Sequence, residues 1–185
     1  MDEDWEANNK KTYTKMKKNH KLQWDYIDKY ISENDIKSIL DVGCGEIQHI
    51  GFSGDWVGID VNSTIKNDKV ILGDFFKYKF DREFDLVLIA GLIEHYGIEE
   101  LEKFIQSALR VNPKYIILTS FMGIREGNSK LTSLYTSKKK YLVSRFGKES
   151  IKELLTKYNL ENYFIEKINS RNSIIIIRSG INERA

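Results

Sequence analysis

Residues 36 to 42, Ile-Lys-Ser-Ile-Leu-Asp-Val, form a short β-branched apolar run that passes directly into Gly43-Cys44-Gly45. A short run rich in Ile, Leu and Val reads as a buried strand, and the glycine pair reads as a sharp turn at its carboxyl end. That combination commits the chain to few architectures. A helical pattern precedes it over about residues 20 to 33, with Leu22, Tyr26, Ile27, Tyr30 and Ile31 at helical spacing and Asn34-Asp35 as a stop. Further short strands are predicted at 56–59, 70–72, 84–90 and 115–119, and a helix at about 98–109 with Leu101, Phe104, Ile105 and Ala108 on one face. Pro113 occupies the turn that follows this helix. Strands alternating with helices predict a largely parallel sheet covered on both sides. The end of the chain differs: runs at 163–168 and 173–178, joined by Asn169-Ser170-Arg171-Asn172, read as an antiparallel hairpin.

Length and composition fit this reading. A chain of 185 residues, 41% hydrophobic and 30% charged, predicts one globular domain with its own core. There is no apolar run of the roughly 20 residues a membrane span requires, and the Met-Asp-Glu-Asp-Trp start is acidic where a signal peptide is basic, so a cytoplasmic protein with no membrane partner is expected. Cys44 is the only cysteine, which excludes an internal disulfide, and no cluster of Cys and His suggests zinc. The formal net charge of +2 gives no whole-protein argument for nucleic acid. Two local clusters are basic: Lys10, Lys11, Lys15, Lys17, Lys18 and Lys21, and then Lys138, Lys139, Lys140, Arg145 and Lys148. Solvated helix faces are the first reading of both, and an anionic substrate or phosphate-bearing partner the second.

Three predicted strands end in acids. Asp41 lies just before the glycine turn, Asp60 closes Gly58-Ile59-Asp60, and Asp74 follows Leu72-Gly73. Parallel strands bring their carboxyl ends to one edge of the sheet, where open α/β sheets bind ligands. The glycines let backbone approach a ligand closely, and an acid at the end of the second strand stands where nucleotide-binding units hold ribose hydroxyls.

In order and spacing, Ile39-Leu40-Asp41-Val42-Gly43-Cys44-Gly45, Asp60, Asp74, Phe84-Asp85-Leu86-Val87 and Glu94-His95 resemble the motifs of the class I S-adenosylmethionine-dependent methyltransferases, over roughly residues 36 to 178. The resemblance implies a Rossmann-like three-layer sandwich whose mostly parallel seven-stranded sheet ends in an antiparallel hairpin. It implies S-adenosylmethionine as cofactor, held by Asp41, Gly43, Cys44, Gly45, Asp60, Val61, Asp74, Phe75 and Ala90, with the glycine turn at the methionine moiety. Asp60 would bind both ribose hydroxyls, and Asp74 would lie by the adenine with Phe75 as its neighbour. Tyr13 would reach over the cofactor from an N-terminal helical segment, residues 1–35. Residues 36–120 would form the cofactor half, and residues 121–185 the substrate-side insert, with Met122, Arg125, Tyr135 and Tyr141, followed by the hairpin. Ala90, Gly91, Leu92, Glu94 and His95 would surround the transferred methyl, with His95 as candidate base.

The sequence departs from the pattern at Ile47, where a third glycine is usual. Glu94-His95 also resembles part of the metal-binding Glu-x-x-Glu-His of small-RNA 2'-hydroxyl methyltransferases, but Gly91 replaces its first glutamate, so no metal is expected. Asp85 reads as structural, and Cys44 as a packing residue in the loop. The resulting expectation is methyl transfer to an oxygen or nitrogen of a small-molecule acceptor. An RNA or protein methyltransferase using the second basic cluster and a non-catalytic cofactor-binding subunit are the alternatives. A nicotinamide oxidoreductase is disfavoured by Gln48, where the dinucleotide fingerprint needs glycine, and by the terminal hairpin.

Overall fold

The computed structural model describes residues 21–45, 52–62, 67–120, 123–135, 140–169 and 172–179. Its contacts separate residues 1–35 from residues 36–185. In the first unit, helix α1 runs over residues 21–33. Its surface carries i,i+4 pairs, Lys21 to Asp25 at 2.7 Å and Lys29 to Glu33 at 3.7 Å. The predicted stop is observed: Asn34 Nδ2 donates to the Tyr30 carbonyl at 2.8 Å, and Asp35 takes a left-handed conformation, φ +49°.

The second unit is built on a seven-stranded sheet. Its elements are β1 (Ser38–Val42), β2 (Asp55–Asp60), β3 (Val70–Leu72), β4 (Leu86–Ala90), α2 (Ile98–Leu109), β5 (Tyr115–Ser120), β6 (Lys130–Tyr135), β7 (Lys140–Arg145), α3 (Lys148–Lys157), β8 (Tyr163–Lys167) and β9 (Ser173–Arg178). The spatial order is β3-β2-β1-β4-β5-β9-β8, with β6 and β7 paired as a separate ribbon. β1 to β5 are mutually parallel. β9 runs antiparallel between β5 and β8, so the predicted terminal hairpin is observed and completes the mixed sheet.

Alternation along the strands divides the core. Leu40, Val42, Val87, Ile89, Ile116, Leu118, Ile175 and Ile177 share one buried cluster with Leu101, Phe104, Ile105 and Ala108 of α2 and Ile151, Leu154 and Leu155 of α3. Ile39, Leu86, Leu88, Ile117, Ile174 and Ile176 alternate with them and are also buried. Both faces are therefore covered, as continuous apolar strands and a three-layer architecture require. At the start of α2, the Glu100 carboxylate accepts from the Gly97 N–H at 3.1 Å. Two first-turn acids there suit the helix dipole. Glu102 of α2 accepts hydrogen bonds from Lys157 Nζ and Tyr158 Oη, both at 2.6 Å, which ties α2 to α3.

The amino-terminal edge of the sheet is pinned by Asp85. Its Oδ2 accepts the Lys37 and Ser38 N–H groups at 2.9 and 3.0 Å, and its Oδ1 pairs with Lys114 Nζ at 2.8 Å. Its carbonyl accepts the Tyr115 N–H at 2.9 Å. One residue thus gathers the starts of β1, β4 and β5, the structural role expected for it. Burial alone would raise the Asp85 pKa, but Lys114 and the Lys37 and Ser38 amides outweigh it and hold the carboxyl below its ordinary value. A depressed native pKa contributes stability above the unfolded pKa and loses it as pH falls through the native one. Asp85→Asn should therefore destabilise the protein by roughly 2 kcal/mol at pH 7. In urea unfolding the gap from wild type should narrow below the ordinary aspartate pKa; a gap independent of pH would refute the assignment.

Two segments were not anticipated. Helix α3 was legible in Ile151, Leu154 and Leu155 at helical spacing after Gly147. The β6–β7 ribbon corrects the reading of the second basic cluster: Lys140 and Arg145 lie on a strand, not on a helix face.

Candidate functional site

The carboxyl ends of β1 to β4 converge on one edge, and each end is shaped by a hydrogen bond. After β1, Gly43 (φ +67°) and Gly45 (φ +55°) both take left-handed conformations that disfavour side-chain-bearing residues. The Gly43 N–H donates to the Ile59 carbonyl at 2.8 Å, extending the β1–β2 ladder by one step. The Gly45 N–H then donates to Asp60 Oδ2 at 2.9 Å. The Asn62 N–H donates to Asp60 Oδ1 at 2.8 Å. Each carboxylate oxygen of Asp60 is thus fixed by one backbone amide. A carboxylate offers about four lone-pair positions, so among the described residues two acceptor positions remain, one on each oxygen.

Cys44 packs inward between the two glycines. A Cβ at Gly58 would lie 2.6 Å from the Cys44 Sγ, so Gly58 makes the space the thiol fills. Burial, reinforced by the charges of Asp41 and Asp60, pushes the Cys44 pKa up to about 12. At neutral pH it is a neutral packing group. Asp41 is buried within β1, in register with Gly58 of β2 and Leu88 of β4.

β3 ends beside β2, with Leu72 in register with Asp60. The Asp74 carboxylate accepts the Phe76 N–H at 2.9 Å and pairs with Lys77 at 3.2 Å. Its carbonyl accepts the Lys77 and Tyr78 N–H groups, which makes a tight turn. Within that turn the Phe75 ring goes into the core, stacked with Phe104 at 6.3 Å between centroids. Asp60 and Asp74 are therefore brought to the same edge, and the Phe75 ring is directed away from it. The apolar surface at this edge belongs to Val61 and Leu72, 75% and 62% exposed, with Tyr78 close to Gly73. Sequence reading singled out Val61 but not Leu72 or Tyr78. Their signal, apolar residues at a strand end flanking an acid, has meaning only once the β2–β3 register is known.

β4 ends at the half-buried Ala90, followed by Gly91 with φ +64°. The Gly91 N–H donates to Thr119 Oγ1 of β5 at 2.9 Å, and Thr119 is fully buried. Leu92 then lies over the first glycine turn, its Cδ2 2.7 Å from where a Gly43 Cβ would stand. A 3-10 turn, Ile93–His95, follows, with Ile93 and Glu94 buried and His95 exposed at its end. β7 packs beside this turn. Partial desolvation of the imidazole lowers the His95 pKa below the ordinary histidine value. Among the described residues, no three His, Cys, Asp or Glu side chains group as metal ligands, and no helix is long and apolar enough to cross a membrane. Tyr13, Ile47, Gln48 and Met122 lie outside the described residues.

Comparison with known structures bears directly on this arrangement. A Clostridium acetobutylicum protein solved as an S-adenosylmethionine-dependent methyltransferase superposes with TM-score 0.62 at 12% identity, covering 93% of this chain and 98% of that one. The chain has the class I methyltransferase fold. A second structure with this fold, the 1,6-didemethyltoxoflavin-N1-methyltransferase of Burkholderia thailandensis with its substrate and S-adenosylhomocysteine, superposes with TM-score 0.67 at 10% identity, over 93% and 84% of the two chains. At the level of sequence, the chain is similar to a probable cobalt-precorrin-6B C(15)-methyltransferase (decarboxylating) from Thermoplasma acidophilum, 28% identical over 50% of this chain and 57% of that protein. The chain thus spans little more than half the length of that relative. No protein-family model matches the sequence.

Proposed function

We propose that this chain is an S-adenosylmethionine-dependent methyltransferase acting on an oxygen or nitrogen of a small-molecule acceptor. The observation that carries the reading is Asp60: a carboxylate held by two backbone amides at the tip of β2, beside a left-handed glycine turn and the exposed apolar surface of Val61 and Leu72. The two acceptor positions left on Asp60 match the two hydroxyls of a ribose, and the apolar surface suits an adenine face. Asp41, Gly43, Cys44 and Gly45 would border the methionine moiety, Asp74 the adenine edge, and Ala90 the wall near the sulfonium. Phe75 would contribute backbone and support, since its ring belongs to the core. Bound S-adenosylmethionine would supply an electrophilic methyl group. The protein's work is alignment of the acceptor with that group, for which effective molarities of about 10⁵ M or more are attainable. His95, at the exposed end of the turn after β4, would accept the acceptor's proton. The small-molecule substrate of the Burkholderia enzyme supports a small acceptor by analogy of fold.

Calorimetric titration with S-adenosylmethionine, S-adenosylhomocysteine and NAD tests the central claim. Binding of both adenosyl ligands without NAD is the expected result, and failure of both adenosyl ligands to bind would overturn it. For the base role, His95→Ala should slow turnover about 100-fold or more while leaving S-adenosylhomocysteine affinity within about twofold. Because the His95 pKa is lowered, the wild-type rate should rise with pH and level off below the ordinary histidine pKa, and this step should vanish in the variant. Parallel loss of binding and rate would make His95 a wall residue.

A further inference from the structure

Charge is segregated along this chain in a way its net value conceals. Residues 121–148, the insert between β5 and α3, contain seven cations and the single acid Glu126. The other 157 residues contain 22 cations and 26 acids, so the insert is strongly basic in a chain that is otherwise mildly acidic. The register within the insert sharpens the point. Lys130 of β6 and Arg145 of β7 are directly opposite in the antiparallel ribbon, with Cα atoms roughly 5 Å apart in such pairings. Like charges facing each other across a ribbon are destabilising. Both residues are exposed, and neither forms an ion pair among the described residues. Nearby Lys148 differs, because it is spent on Glu126.

The base of the ribbon is also held in shape. The Arg125 N–H donates to the Phe146 carbonyl and the Lys148 N–H to the Arg125 carbonyl, at 3.0 and 2.9 Å. Gly147 N–H donates to Ser129 Oγ at 3.1 Å, and Ser129 N–H to Ser150 Oγ at 2.9 Å. The Ile124 N–H donates to Ser173 Oγ at 3.0 Å, which anchors the same segment to the start of β9, at the sheet edge where β5 ends. Lys130 and Arg145 are therefore presented from a braced platform, and β7 itself packs beside the Ile93–His95 turn.

We propose that Lys130 and Arg145 form the subsite that grips a phosphate group of the methyl acceptor, which makes the acceptor a small phosphorylated molecule; the Arg125 guanidinium, which donates to the Asn128 carbonyl, helps to shape the loop at the base of the ribbon. The inference rests on the methyl-transfer reading for the word acceptor, but the anion subsite stands on its own geometry. A phosphate near neutral pH carries about two negative charges and suits an arginine fork beside a second cation, whereas a single carboxylate leaves one cation of the pair uncompensated. The insert follows β5 at the edge where β4 also ends, so a molecule anchored there by phosphate is positioned to extend toward His95.

The test is titration of the full chain with inorganic pyrophosphate, succinate and a twelve-residue oligouridylate, followed by amide NMR shifts at about 50 mM salt. Pyrophosphate should move the amides of residues 130 and 145. The double variant Lys130→Ala/Arg145→Ala should weaken pyrophosphate binding at least fivefold, whereas Lys103→Ala on α2 should not, and all three proteins should keep the same S-adenosylhomocysteine affinity. Pyrophosphate affinity unchanged in the double variant, or succinate bound as well as pyrophosphate, would overturn the phosphate subsite. Oligouridylate bound more than about a hundredfold more tightly than pyrophosphate, with the steep salt dependence of strand binding, would overturn the small acceptor in favour of nucleic acid. Pyrophosphate binding to a wild-type protein that ignores S-adenosylhomocysteine would sink the methyl-transfer reading while leaving the anion subsite intact.

Discussion

Replacing Asp60 with alanine is expected to weaken S-adenosylhomocysteine binding by roughly 10- to 100-fold, about 1.4 to 2.8 kcal/mol. The loss has two sources. The ribose hydroxyls would lose a charged acceptor, and the turn that presents the ligand would lose its internal brace, because Asp60 Oδ2 and Oδ1 hold the Gly45 and Asn62 amides. Asp60→Asn tests whether an uncharged isostere can replace the carboxylate. Its single amide oxygen can keep one of the two N–H groups, but its NH₂ meets the other donor and repels it, so the asparagine should recover little affinity. Asp74→Ala should cost less, since the Asp74 carboxylate is engaged with the Phe76 N–H and Lys77 within its own turn. Calorimetry on the three variants, with thermal melts of the ligand-free proteins, gives the comparison. Equal affinities for wild type and Asp60→Ala would remove the assignment on which the functional reading rests.

The same residue marks how far sequence alone could go. That Asp60 ends a strand, and that Gly43 and Gly45 turn beside it, follows from patterning, because buried parallel strands and glycine turns leave local signatures. That β1 to β5 run parallel and that β8 and β9 form an antiparallel hairpin followed as well, since alternation with helices and a short turn constrain strand direction; the spatial order β3-β2-β1-β4-β5 came only with the structure. What could not be read locally is whatever depends on register or on side-chain direction. Phe75 illustrates the limit: next to an acid at a strand end it reads as a ligand neighbour, yet the Asp74 turn swings its ring into the core against Phe104. Leu72 illustrates the converse, an apolar residue indistinguishable from core until pairing with β2 sets it beside Asp60. The β6–β7 ribbon was hidden because its lysines suggested a solvated helix, and only cross-strand pairing shows that Lys130 and Arg145 face one another.

Gly43→Ala should be the more damaging single-methyl change in the glycine turn, and comparison with Gly45→Ala explains why. Both glycines are left-handed, so either substitution carries a backbone penalty of about 1 kcal/mol or more. Only Gly43 adds a collision: its new Cβ would stand 2.7 Å from Leu92 Cδ2 and 3.2 Å from Cδ1, whereas a Cβ at Gly45 meets nothing within 4 Å among the described residues. The Leu92 side chain must move to admit the methyl, and it belongs to the segment between Gly91, held by Thr119, and the turn that carries His95. Overpacking of this kind adds about 1 to 3 kcal/mol, so Gly43→Ala should lower stability by roughly 2 to 4 kcal/mol in urea unfolding and Gly45→Ala by only about 1. Ligand affinity should order the other way relative to stability, because the open space beside Gly45 is where the cofactor reading puts the methionine moiety: Gly45→Ala should lose binding out of proportion to its small loss of stability. The collision can be relieved independently. In Gly43→Ala/Leu92→Ala the second truncation should recover part of the stability lost to the first, a coupling of about 1 kcal/mol or more in a double-mutant cycle. Strict additivity would mean that Leu92 does not transmit the glycine turn's shape to the end of β4, and that the two halves of the site are set independently.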